Sequence, residues 1–269
     1  MRAGSVRDRL ETLASGRALV RAFTGLVEIE MVDRSMTLAA QLFTSVLPVI
    51  IASAVLTDRD IVTRTLETQF GYAPAALVRY GGHPPVDPSF AAFGVAGLLM
   101  LAISGTSFAR ALARIYGRIW AVPAIGLRRS WRWFAVLFLV ALSAVSTAAL
   151  HAASAGAPAG VAVALFTESV VWLFVWTACP ALLTVGAVPS RVLWASGACT
   201  AVGLTAVRLG GYVVLPRATA TAEAQFGALG LVFTTIGWLF VVSVVVVAAP
   251  VLVQTLRTGE GRIGRFLGG

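Results

Sequence analysis

Two charged residues lie inside apolar stretches that otherwise carry no charge. Arg208 occurs in GLTAVRLGGYVV (203–214), and Glu168 occurs in GVAVALFTESVVW (160–172). A charged side chain at such a position is costly in a bilayer unless it faces the protein interior, a water-filled cavity or an opposite charge. A guanidinium can attract an anionic group, and a carboxylate beside it can hold it in place or exchange a proton. The two residues are therefore candidates for binding an anionic substrate.

The elements that must position this pair are membrane-spanning helices. Of the 269 residues, 58% are hydrophobic and 12% are charged, and the mean hydropathy is +0.86. Six apolar windows reach about 20 residues, the length that an α-helix needs to cross about 30 Å of hydrocarbon. The chain is therefore predicted to be an all-α, polytopic membrane protein with about six transmembrane helices. The predicted spans lie near residues 37–56, 89–109, 133–153, 160–183, 192–215 and 230–253.

The charges of the connections predict the orientation of these spans. The net charge is +9, and all 21 basic residues are arginines. Sixteen of them precede the first span, follow the last, or lie in the connections after the second and fourth spans. This bias predicts that both termini are cytoplasmic. Since topology explains the basic character, we expect no nucleic-acid partner.

The chain divides into three predicted parts. Residues 1–35 form a basic cytoplasmic arm, residues 36–256 form the six-span membrane domain, and residues 257–269 form a cytoplasmic tail. The arm has apolar residues at helical spacing, which favours an amphipathic helix on the inner membrane surface. It shows no pattern of a cleavable signal peptide. On the opposite side, residues 57–89 form the longest connection and keep a helical apolar period.

Helix geometry predicts that Arg208 and Glu168 meet. Arg208 lies seven residues from the predicted end of span 5 and Glu168 eight residues from Gly160, so both are about 10–12 Å below the same surface. Spans 4 and 5 are consecutive and antiparallel, which favours a direct or water-mediated pair. Two alternatives stay open: a fixed ion pair that only holds the two spans together, and an arginine that extends outward past Tyr212.

A second group of charges follows span 2. In SFARALARIYGRIW (107–120), Arg110, Arg114 and Arg118 are four residues apart on one face of a helix, and apolar residues occupy another face. We expect span 2 to continue into this helix and to bend along the cytoplasmic surface. The three arginines are candidates for contact with anionic lipid headgroups or a substrate phosphate, and an ordinary positive-inside anchor is the alternative.

Enzymatic chemistry is not predicted. His83 and His151 have no acids placed to complete a metal cluster. The G-x-S-G signature of intramembrane serine proteases, a Walker motif and a Cys-x-x-Cys pair are all absent from the sequence. Cys179 and Cys199 fall inside predicted spans, where cysteine acts as a small apolar residue. We therefore expect no catalytic residues, no metal and no cofactor.

Four stretches of the chain follow one another in a characteristic order. They are DRSMTLAAQLFTSVLPVIIASAVL (33–56), LAISGTSFARALARIYGRIW (101–120), VPSRVLWASGACTAVGLTAVRLGGYVV (188–214) and AEAQFGALGLVFTTIGWLFVVSVVVVAAPVL (222–252). In this order they resemble the YihY/BrkB family of bacterial inner-membrane proteins. Where that family shows a tyrosine and a glycine-alanine pair in the last stretch, this chain has Phe226 and AAP (248–250).

The resemblance implies six spans, cytoplasmic termini, and a role in envelope integrity or transport. Family members have also carried a ribonuclease label, but the sequence offers no ribonuclease chemistry. No catalytic residue is carried over from the family.

Two functions are consistent with this pattern. The first is a multi-pass protein of the bacterial inner membrane that moves or accommodates an anionic or amphipathic solute. The second is a non-transporting envelope scaffold that binds lipids or partner proteins. The expected partners are the bilayer, anionic headgroups, and either further copies of the chain or envelope proteins.

Overall fold

The computed structural model describes residues 24, 30–56, 89–123, 129–154 and 160–258. Most of the predicted arm, the connection 57–88 and the tail from 259 lie outside these residues. The described residues form helices and contain no β-strand, so the all-α class is confirmed. Each predicted span falls within one helix. The helices are α1 (Met31–Leu56), α2 (Ser89–Ile119), α3 (Trp131–Ser154), α4 (Gly160–Leu183), α5 (Ser190–Phe226) and α6 (Ala228–Arg257).

Consecutive helices pack side by side, and α6 returns to pack against α1. The connections between consecutive helices from α2 onward are short, which makes neighbours antiparallel. The tightest connection is Gly227 alone, between α5 and α6. Its φ of 58° and ψ of −138° form a backbone conformation that is open to glycine and strained for other residues. The result is a bundle in which α1, α3 and α5 begin at the end where α2, α4 and α6 finish.

That end of the bundle carries most of the positive charge, and we call it the arginine-rich end. Among the described residues of the opposite end, Arg217 is the one arginine. The arginine-rich end is defined by Arg34, Arg110, Arg114, Arg118, Arg129, Arg132, Arg191 and Arg257.

Helix α5 is longer than its predicted span. It continues from 215 through Pro216 to Phe226, which gives 37 residues, or about 55 Å at about 1.5 Å per residue. A hydropathy window ends near 215 because RATATAEAQF is polar, but alanine, glutamate and glutamine are good helix formers. Pro216 removes one hydrogen bond, to the carbonyl of Tyr212, and the helix accommodates it. Hydropathy therefore located the apolar part of α5 and missed its polar extension.

Three helical stretches in the described part of the chain are long and apolar enough to cross a membrane: Ala162–Leu183, Ser190–Phe226 and Leu229–Arg257. Large apolar side chains also cover the outside of the bundle. Ile103, Phe138, Phe166, Val202 and Phe233 are each between 68% and 72% exposed. Such an apolar exterior is unfavourable in water and suits contact with lipid tails. These features indicate that the protein is embedded in a membrane.

The main hydrophobic core lies toward the arginine-rich end. It joins the end of α2, the second half of α4, the first half of α5 and the end of α6. Its buried side chains include Leu112, Trp172, Val192 and Val251. This core fixes the spacing of α4 and α5 between the arginine-rich end and the level of Glu168 and Arg208.

Candidate functional site

The buried stripe of α4 carries Glu168. Ala164, Glu168, Trp172, Val175 and Cys179 are buried, and their spacing of three or four residues places them on one face of the helix. Glu168 is therefore part of the face that packs into the bundle. It lies about 22 Å from the α4 terminus at the arginine-rich end, by the helical rise.

The buried stripe of α5 carries Arg208. Ala201, Leu204, Arg208, Gly211 and Leu215 are buried at the same kind of spacing. Arg208 is 18 residues from either end of α5, which places it about 27 Å from the arginine-rich end. The depths of Arg208 and Glu168 match closely enough for their long side chains to meet.

The two side chains form a buried ion pair. Nη1 of Arg208 contacts Oε1 of Glu168 across the α4–α5 interface. Glu168 is 1% exposed and Arg208 is 5% exposed, so both charges are removed from solvent and from lipid. The direct pair that the matched depths predict is present, and the outward-extending arginine is not. An arginine that remains charged here presents a fixed positive group in an apolar interior.

Tyr212 is the third member of the arrangement. The Nε and Nη2 groups of Arg208 donate hydrogen bonds to the Tyr212 hydroxyl at 3.3 and 3.1 Å. The guanidinium carbon lies 5.8 Å from the centre of the tyrosine ring. Tyr212 is 51% exposed, so it links the buried pair to the surface of the bundle. The sequence suggests Tyr212 only as a residue past which Arg208 could extend, although the i,i+4 spacing also indicates a contact between the two side chains.

A hydroxyl bridge lies next to the ion pair, on the side of the arginine-rich end. The hydroxyls of Ser169 and Thr205 are 2.8 Å apart. They join α4 to α5 less than two helical turns from the contact between Glu168 and Arg208. Polar side chains therefore join these two helices at two successive levels.

Glycines bring other helices close to this region. A Cβ atom on Gly197 would lie 3.0 Å from the carbonyl oxygen of Leu173, so the α4 and α5 backbones are nearly in contact there. A Cβ atom on Gly211 would lie 2.7 Å from the Trp238 ring, so α6 packs on α5 one turn from Arg208. Close packing of this kind uses small residues in membrane helices. The α4–α5 interface that holds the ion pair is therefore closely packed at Gly197, and α6 packs closely on α5 at Gly211.

A second polar cluster joins α1 and α2. The Ser104 hydroxyl is 2.5 Å from that of Ser45 and 3.5 Å from that of Thr44. One helical turn before Ser45, Oε1 of Gln41 is buried and has no hydrogen-bond partner in the described part of the chain. On α6, Oγ of Ser243 is also buried without a partner among the described residues.

The three predicted headgroup arginines lie on the exposed face of α2. Arg110, Arg114 and Arg118 are all exposed, and the guanidinium carbon of Arg110 lies 5.8 Å from the centre of the Trp133 ring. The helix continues unbroken from span 2 to Ile119, as predicted. The opposite, apolar face of this segment packs into the protein core. The expectation that this segment lies along a membrane surface is therefore wrong for its apolar face, because the bundle covers that face.

The remaining chemistry-bearing residues are the two cysteines and the two histidines. Cys179 is buried in the core, and Cys199 is half-buried. His83 and the side chain of His151 lie outside the described residues. Within the residues that the structure describes, no three His, Cys, Asp or Glu side chains could together hold a metal ion.

Comparisons with protein families, with characterised proteins and with solved structures give no match for this chain.

Proposed function

We propose that the protein is a six-span protein of the bacterial inner membrane that moves or accommodates an anionic or amphipathic, lipid-like solute. In this proposal, Arg208 attracts the anionic group of the solute. Glu168 holds Arg208 in place or exchanges a proton during transport, while the guanidinium stays charged. Both termini are cytoplasmic, and the arginine-rich end faces the cytoplasm, as the positive-inside rule requires.

The buried pair of Glu168 and Arg208 is the observation that carries this proposal. Ionisable residues inside a membrane bundle are costly and are a hypothesis for a functional site by default. A pair that served packing alone could be replaced by apolar side chains at little cost. Tyr212 adds a functional argument, because it binds the same guanidinium and reaches the surface of the bundle. A solute that displaced the tyrosine hydroxyl would meet a positive charge directly.

The arginines at the arginine-rich end support a contact with anionic lipid. Arg110, Arg114 and Arg118 are exposed on one face of α2. In the proposed topology they lie at the cytoplasmic surface, where anionic headgroups attract basic side chains at about 1 kcal/mol each. They would concentrate anionic lipid near the bundle. The resemblance to the YihY/BrkB family and a role in envelope integrity belong to the same proposal.

The alternative is an envelope scaffold, and the extension of α5 favours it. Beyond the ion pair, α5 continues about 15 Å farther than α4, by the helical rise. The tip of the α5–α6 hairpin exposes Phe226 and Leu229. An exposed apolar tip of this kind can bind a partner protein. In a scaffold, the buried pair would hold α4 and α5 together and would have no solute to bind.

A charge-neutral replacement of the pair separates the two functions. The double variant Arg208→Gln with Glu168→Gln keeps two side chains that can hydrogen-bond to each other, and it removes both charges. The control is Arg217→Gln, which removes an exposed arginine from the same helix. The assay reconstitutes each protein in liposomes and follows the transbilayer movement of fluorescent phosphatidylglycerol, and it also records envelope leakage in cells that lack the native protein.

The transport proposal predicts that the double variant is folded and that its lipid movement falls at least tenfold, while the control keeps the wild-type rate. Envelope function that survives in the folded double variant would support the scaffold and would overturn the transport proposal.

A further inference from the structure

A groove runs along the outer surface of the bundle between α3 and α4, beginning at the arginine-rich end. Its volume is about 640 Å³, which is within the range typical of small-molecule sites. The lining is apolar apart from one charged side chain at its end. It includes Ala135, Phe138 and Leu142 of α3 and Ala178, Ala181 and Leu182 of α4.

The charged side chain is Arg132, at the start of α3. Its Nη1 group donates a hydrogen bond of 2.8 Å to the carbonyl oxygen of Leu182 in the last turn of α4. The contact holds the guanidinium across the end of the groove. The guanidinium carbon also lies 5.5 Å from the centre of the Trp131 ring, and Nε has no hydrogen-bond partner among the described residues. The arginine is therefore held at the end of the groove by its neighbours, with its Nε buried.

No acid in the described part of the chain neutralises this arginine. None of the described acidic residues lies on α3. Glu168 of α4 is 14 residues from Leu182, about 21 Å along the helix, and it contacts Arg208. The groove therefore combines an apolar wall with a positive charge that has no carboxylate beside it.

The length of the groove matches one leaflet of a bilayer. From Arg132 to Leu142 is ten residues, or about 15 Å of helix, and a leaflet contributes half of about 30 Å of hydrocarbon. Trp131 is 58% exposed beside the arginine, and tryptophan favours the boundary between headgroups and hydrocarbon. The charged end of the groove therefore falls at headgroup level when the apolar part falls at tail level.

We propose that this groove binds one anionic phospholipid from the leaflet at the arginine-rich end. The phosphate contacts Arg132, and an acyl chain lies along the alanines and Phe138. The proposal rests on the proposed embedding of the bundle in a membrane, and it is independent of any transport through Arg208. It also differs from a diffuse attraction by Arg110, Arg114 and Arg118, because those side chains do not line the groove.

Native mass spectrometry of the full-length purified protein tests the site. The protein is titrated with phosphatidylglycerol and, separately, with zwitterionic phosphatidylcholine. Arg132→Gln removes the charge, Ala178→Phe fills the groove with the charge intact, and Arg129→Gln is the control at an exposed neighbouring arginine. The neutral double variant of Arg208 and Glu168 is measured in parallel.

We expect the wild-type protein to bind phosphatidylglycerol about tenfold more tightly than phosphatidylcholine, as one charge-assisted contact provides. Arg132→Gln should remove this preference, Ala178→Phe should weaken phosphatidylglycerol binding about tenfold, and Arg129→Gln should change it less than twofold. Equal losses in Arg129→Gln and Arg132→Gln, or unchanged binding in Ala178→Phe, would overturn the proposal.

If Arg132→Gln does not fold, Ala178→Phe decides the result, because it leaves the contact between Arg132 and Leu182 in place.

The double variant of Arg208 and Glu168 separates this site from the proposed transport site. Lipid binding that is unchanged in the Arg208 and Glu168 double variant shows that the groove acts independently of the ion pair. Loss of the lipid preference in that variant would contradict the independence of the two sites.

Discussion

Replacing Gly197 by alanine tests how closely α4 and α5 pack between the ion pair and the arginine-rich end. The added Cβ atom would overlap Oγ1 of Thr177 and would lie 3.0 Å from the carbonyl oxygen of Leu173. The Thr177 hydroxyl already donates to that carbonyl at 2.7 Å, and the backbone of α4 cannot rotate away. Overpacking of this kind costs up to about 3 kcal/mol, and alanine returns about 1 kcal/mol of helix propensity. The expected net loss is about 2 kcal/mol.

Thermal unfolding of the purified protein in nanodiscs measures this loss. About 2 kcal/mol corresponds to a fall in Tm of roughly 4–8 °C. The matched control is Gly210→Ala on the same helix, because a Cβ atom there meets nothing within 4 Å, and its Tm should stay the same or rise slightly. Removing the nearest obstacle in the double variant Gly197→Ala with Thr177→Ala should recover part of the loss. A Tm for Gly197→Ala equal to that of Gly210→Ala would refute the reasoning.

Three further changes test other parts of the structure. Ser243→Ala removes a buried hydroxyl without a hydrogen-bond partner in the described residues, so the free energy of unfolding should rise by about 1 kcal/mol; a marked fall in Tm would contradict this. Tyr212→Phe removes the acceptor of two hydrogen bonds from Arg208 and should lower the free energy of unfolding by about 1 kcal/mol, because the tyrosine is half-exposed; an unchanged Tm would show that these bonds add no stability. In a variant without native cysteines, an impermeant maleimide should label Gln225→Cys in intact cells and Thr258→Cys only after permeabilisation; the reverse pattern would invert the proposed topology.

The sequence predicts the helices well because apolar length is a property of the chain alone. Every predicted span lies inside a helix, and Arg208 and Glu168 could be paired by counting residues along two antiparallel helices. The same counting works because each residue lies on a regular stripe of buried positions. For this pair, periodicity and depth together determine the contact.

Three other features could not be predicted from the sequence: the buried face of the segment 107–120, the extension of α5, and the groove at Arg132. The apolar face of the segment 107–120 has the same pattern whether it meets lipid or protein, so only the fold shows that it enters the core. The extension of α5 past Pro216 depends on helix propensity in a polar stretch, which a hydropathy window does not measure. The groove at Arg132 joins residues of two helices that the sequence separates by 50 positions, and no local pattern connects them.

Exchange of the charges of Arg208 and Glu168 tests the central proposal most directly. Each single variant, Arg208→Glu or Glu168→Arg, buries two like charges side by side and should lose folded protein. The proposal predicts that the double exchange restores the amount of folded protein but not lipid movement or envelope function, because the positive charge has moved from α5 to α4. Restoration of all three quantities would show that the pair is structural and would contradict the proposed site. Single variants that change nothing would contradict the buried pair itself.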